Sequence, residues 1–151
     1  MGIATVERTS GGVAFRSADE LREVLERTFE SVDADERIGP LLRAAHLRAR
    51  FDFTDLGLHL NVASSDGDEH CVDWSFAARA PWPPKVVLRM DSEVANGWLQ
   101  GKESLAIAIA RGRVRCTGET KSTLFFVPIA SLLGEPYRRV IDADYEHLRI
   151  A

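Results

Sequence analysis

The chain has 151 residues, 45% hydrophobic and 28% charged, with a formal net charge of -4. That is the make-up of one globular domain with a real core, and it excludes a disordered chain. The negative balance argues against nucleic acid as the main partner, since phosphate binding needs Lys and Arg clustered on one face. No apolar run approaches the roughly 20 residues that span a bilayer, so no stable membrane insertion is expected. Residues 1–14 lack the charged-then-apolar pattern of a secretory leader. The expected location is cytoplasmic.

Residues 1–16 carry a Ser-Gly-Gly turn without sustained periodicity and read as a flexible arm, leaving 17–151 as the folded domain. At Ser17 the run SADE has the form of a capping box, and Leu21, Val24, Leu25, Phe29 and Val32 follow at helical spacing. This predicts a helix over 17–32. A shorter helix is predicted from Pro40 through His46, burying Leu41, Leu42 and Ala45.

The period then changes from 3.6 to 2. Phe51 and Phe53 oppose Arg50, Asp52 and Thr54; Leu56, Leu58, Leu60 and Val62 oppose Gly57, His59 and Asn61. After the turn SSDGDE, Val72, Trp74, Phe76 and Ala78 alternate with Asp73, Ser75 and Arg79. The pattern is that of a meander with one wet side. The stiff APWPP stretch holding Trp82 leads into a fourth strand, KVVLRM, in which Met90 shares the inward face.

Asp91 is placed to cap a short helix carrying Val94, Trp98 and Leu99, which Gly101 ends. A helix over 103–111 follows, with Leu105, Ile107 and Ile109 spread round its circumference. It is therefore either enclosed by protein or set between protein and an apolar ligand. A fifth strand, RVRCTG, points Val114 and Cys116 inward and Arg113, Arg115 and Thr117 outward. With Arg111 these arginines predict a solvated face paired with Asp52 and Asp73. The block Leu124, Phe125, Phe126, Ile129, Leu132 and Leu133 is dense in apolar groups, and Pro128 is expected to break any helix there. A last helix is expected from Pro136.

The order of elements gives an α+β fold: a single five-stranded, mainly antiparallel sheet with helices on one face. The two cysteines lack the spacing of a metal knuckle, the four histidines show no ligand spacing, and no phosphate-binding glycine pattern or serine elbow is present. No catalytic residue, metal or cofactor is predicted.

Residues 85–133 resemble the sterol carrier protein-2 (SCP2) family of lipid-binding domains. The resemblance lies in the strand KVVLRM, the capped helix DSEVANGWLQG, the segment ARGRVRCTGE and the apolar LFFVPIASLL, and in layout it extends back to about residue 17. It implies a tunnel between the sheet's apolar face and the helices, and a carrier rather than an enzyme. The implied partner is a hydrophobic small molecule: a lipid, a sterol or an acyl-CoA. The implied lining is drawn from Trp74, Phe76, Met90, Trp98, Leu105, Ile109, Phe125, Phe126, Ile129 and Leu132, with the tail segment as a cover. The chain ends in HLRIA, without the peroxisomal signal of eukaryotic carriers. Two other readings stay open: an enzyme of steroid- or polyketide-like metabolism, marked by an ionisable group in the cavity, and a ligand-free interaction module docking on a partner or forming a homodimer.

Overall fold

The computed structural model describes residues 14–151. Most of the stretch read as an arm lies outside the described residues, but Phe15 lies within them and is buried in the core. Helix α1 spans Ala18–Ala34, capped by Ser17, whose Oγ accepts from the Glu20 N–H at 3.1 Å. Glu20 reaches back one residue further than a standard box, accepting from the Arg16 N–H. Leu21, Val24, Leu25, Phe29 and Val32 are buried, as the spacing requires.

Helix α2 spans Ile38–Ala44, two residues ahead of Pro40. The Asp35 carboxylate starts it there by accepting from the Arg37 and Ile38 N–H groups at 2.8 and 2.9 Å. Leu41 points outward, against expectation, while Leu42 is buried.

Strands β1 (Arg48–Phe53), β2 (Leu58–Ser64), β3 (Val72–Ser75), β4 (Val86–Met90) and β5 (Arg115–Gly118) form one sheet in the order β3-β2-β1-β4-β5. All neighbours are antiparallel except β1 and β4. The fold class is the expected one. Phe51 faces Leu60 across β1–β2 and Leu88 across β1–β4, and this row makes the sheet's half of the core.

Three further helices complete the layer: α3 (Ser92–Leu99), α4 (Leu105–Ala110) and α5 (Thr120–Ala130). A 3₁₀ turn over Ser131–Leu133 joins α5 to α6 (Gly134–Asp144). Two local expectations fail here. Asp91 makes no side-chain cap; Asp55 takes that role, accepting from the Ser92 N–H and hydroxyl at 2.8 and 2.6 Å. Pro128 does not break the chain either, because α5 runs through it. A proline so near a helix end costs one backbone bond, and the buried Phe126 and Ala130 hold the turn in place.

The second face of the sheet is wet at Asp73, Arg89 and Arg115 but covered over the middle of β1 and β2. β3 ends at Ser75 rather than near Arg79, and the chain then crosses β2 and β1 on the side away from the helices. Ala77 and Ala78 offer their carbonyls to Asn61 Nδ2 and Arg50 Nη2 at 2.9 and 2.6 Å. Beneath this crossover Asp52 and Asn61 are buried.

Candidate functional site

Between the helices and the sheet the interior is filled. It leaves an apolar cavity of about 10 Å³ among Leu25, Phe29, Phe51, Phe53, Leu60, Trp98, Leu99, Leu133 and Thr28. That is room for about one water, and apolar walls of this kind stay dry. The Thr28 hydroxyl is already spent on the Val24 carbonyl at 2.8 Å.

A more apolar space than the arginine-lined depression by Arg89 and Arg113, and one far larger than this cavity, lies on the outer side of Trp98. A cleft of about 420 Å³ opens between the start of α4 and the α5–α6 junction. Leu105 and Ala106 form one wall, Val127, Pro128 and Ala130 the other, with Trp98 at the base and Gly101, Gly134 and Arg138 at one end. The volume falls in the range of small-molecule sites. Local chemistry explains the walls. Ser104 caps α4, its Oγ accepting from the Ile107 N–H at 3.1 Å, which turns Leu105 and Ala108 inward. Ile107 then points outward, 46% exposed, so α4 is not enclosed on all sides.

Of the ten residues predicted to line a tunnel, Trp98 and Leu105 meet at this cleft, and Trp98 also borders the inner cavity. The other eight are dispersed. Met90 puts its sulfur 3.3 Å from Trp98 Nε1 and borders a separate depression lined by Arg89, Arg113 and Arg115. Trp74 stacks on Phe29 with ring centres 5.9 Å apart and donates Nε1–H to Glu26 at 3.0 Å. Phe76 lies under the Arg22 guanidinium at 5.0 Å. Phe126 is buried against Phe51, while Phe125 is 62% exposed, and both border a pocket of about 70 Å³ beside Ala45 and Lys85. Ile109, Ile129 and Leu132 are partly buried against the core.

The residues that sequence reasoning missed are Gly101, Ala106, Val127, Pro128, Ala130, Gly134 and Arg138. Apart from Val127 and Arg138 they are small or turn-forming residues, which carry no hydrophobic period. The one available signal was the proline inside an apolar run.

The polar groups gather on the opposite face of the sheet. Asp52 accepts from Arg50 Nε at 3.0 Å and Arg89 Nε at 3.4 Å, and its Oδ1 is 2.7 Å from His59 Nδ1. Burial pushes the Asp52 carboxyl up, but the His59 hydrogen bond and the two arginines outweigh it and hold the group below its ordinary range. So Asp52 pairs with Arg89 and Arg50, not with the arginines of 111–115; Arg111 and Arg113 pair with Glu103. The Asp52–His59 pair and the cleft lie on opposite sides of the sheet. Among the described residues no group of three or more potential metal ligands occurs, and no helix is long and apolar enough to cross a membrane.

A five-stranded mixed sheet backed on one face by this succession of short helices is the fold of the sterol carrier protein-2 domains. Among solved structures, a UbiJ-SCP2 ubiquinone synthesis protein superposes with a TM-score of 0.56 at 15% identity, covering 80% of this chain and 96% of that one. The conserved protein TT1886 of Thermus thermophilus gives 0.56 at 13% identity, covering 87% and 92%. The sterol carrier protein domain 2 of Helicoverpa armigera gives 0.53 at 11%, covering 76% and 87%. The sequence itself matches no protein-family model and no curated protein.

Proposed function

We propose that this chain is a non-catalytic carrier that holds one hydrophobic small molecule, a lipid, sterol or acyl chain, by burying it at the Trp98 cleft. The observation that carries the reading is the cleft itself: an apolar groove of about 420 Å³ on an SCP2-type fold, separated by Trp98 from an apolar cavity already begun in the core. The driving force is desolvation, about 25 cal/mol per Å² of apolar surface before the costs of association. Ligand enters from the α4 side, and rotation of Trp98 joins the outer and inner spaces. Carriage in this form needs no reacting group, and the cleft's one carboxylate, Glu103, is held by Arg113.

The test is native mass spectrometry of the protein as purified, followed by displacement of a fluorescent fatty acid with decanoate, palmitate and cholesterol. Saturable one-to-one displacement by any of them supports the carrier. A chain that takes up none of the three, and yields no extractable lipid, overturns it.

A further inference from the structure

The cleft is apolar except at one end, and there its polar side chains divide unequally. Ser104 is used as the α4 cap, the Ser131 hydroxyl donates to the Pro128 carbonyl at 2.6 Å, and Glu103 is engaged by Arg113 and Arg111. Arg138 is different: among the described residues it makes no hydrogen bond or ion pair, although its second-turn position on α6 puts it at the cleft wall.

Its guanidinium rests beside two glycines. A Cβ on Gly134 would stand 2.9 Å from Arg138 Nη1 and 3.3 Å from the Leu99 carbonyl; one on Gly101 would stand 3.5 Å from Nη1. Gly101 needs its positive φ of 77° for the turn after α3. Gly134 sits at the start of a helix with an ordinary φ of -62°, and a side chain there would meet both the end of Arg138 and the fixed Leu99 carbonyl. The result is an exposed planar cation with five donors, none taken by an acceptor among the described residues, at the end of an apolar groove.

We infer that Arg138 is a carboxylate clamp, and that the cleft selects a monocarboxylate amphiphile over a neutral one of the same length. This rests on the carrier reading above and adds the chemical class of the cargo. The carboxylate takes two parallel N–H···O bonds from the guanidinium, and the chain lies between Leu105 and Val127 towards Trp98. A sterol or a fatty alcohol gains the groove but not the clamp.

Calorimetric titration of the whole chain with monomeric decanoate and with 1-decanol separates the two levels. Wild-type protein binds decanoate about tenfold more tightly than decanol, the usual scale for charge-assisted bonds at a partly open site. Arg138→Met loses that preference, the ratio of the two affinities falling towards one, and Gly134→Ala, which crowds the guanidinium, reduces it. The Arg138 Nε–Hε resonance shifts with decanoate and not with decanol. If decanol binds the wild type as tightly as decanoate, or Arg138→Met keeps the acid preference, the clamp is overturned and the carrier stands. If neither compound binds, the clamp fails, and if cholesterol does not bind either, so does the carrier.

Discussion

Replacing Asp52 tests whether the sheet's outer face is sealed by a charged network. The Asp52 and Arg50 side chains are only 11% and 14% exposed, whereas Arg89 is 60% exposed. The Arg89 contact therefore contributes at most about 1 kcal/mol, as surface pairs do. The Arg50 contact is the costly one to break. In Asp52→Ala the guanidinium of Arg50 keeps Asn61 Oδ1 at 3.0 Å and the Ala78 carbonyl at 2.6 Å but loses its counter-charge. Losing one partner of a buried pair costs about 3–5 kcal/mol; with two neutral acceptors retained, about 2–3 kcal/mol is expected. Urea unfolding followed by circular dichroism measures it. The double variant Arg50→Met/Asp52→Leu should cost less than the sum of the single changes, because no charge is left without a partner. Strict additivity, or a loss below about 0.5 kcal/mol for Asp52→Ala, refutes the argument. The sign with pH is fixed too. The folded carboxyl lies below its unfolded value of about 3.9, so its contribution is present above that pH and disappears as pH falls through the folded pKa.

Asp33 accepts from the backbone N–H groups of Cys71 and Val72 and lies 2.7 Å from His70 Nδ1, which raises the His70 pKa. Asp33→Asn should bring His70 down towards about 6.5 in an NMR titration, and an unchanged midpoint would remove Asp33 as the cause. The stability that this pair supplies through the imidazolium is present below about pH 6.5 and fades as pH rises through the folded value. Pro128→Ala restores an N–H to α5 and should raise stability by about 1 kcal/mol while slowing decanoate uptake in stopped flow; a lower melting temperature would contradict this. Ser104→Ala removes the α4 cap and should cost about 1 kcal/mol, with faster amide exchange confined to 105–110.

The parts of the fold that were legible in the sequence are those set by neighbours along the chain. α1 follows from a cap residue and five apolar positions at helical spacing, and β1 and β2 from strict alternation. What was not legible depends on segments distant in sequence. Asp52 and Asn61 alternate like wet-face residues and become buried only because residues 77 and 78 pass over them. Pro128 breaks a helix by its own chemistry, yet long-range packing of Phe126 and Ala130 overrides that preference. Arg138 looks like any surface arginine of an amphipathic helix until Gly101, 37 residues earlier, is brought against it. The lining was placed on large aromatic and aliphatic residues, and the cleft is built largely from small ones.

The distribution of buried surface says where such a core can open. On one side the crossover is tied to the sheet by Arg50 and Asn61. On the other, α1 buries six residues and cannot leave without dismantling the core. Helix α4 is six residues long and buries only Leu105 and Ala108, with Ile107 already in solvent. Lifting it exposes Leu105, Ala108 and the partly buried Ile109, about 3–4 kcal/mol. A ligand at a thousand times its Kd supplies about 4 kcal/mol to whichever state binds it. The apolar sequence of α4 thus makes a wall cheap enough to displace, and under the carrier reading proposed above a ligand would replace against Trp98 the contacts that Leu105 gives up.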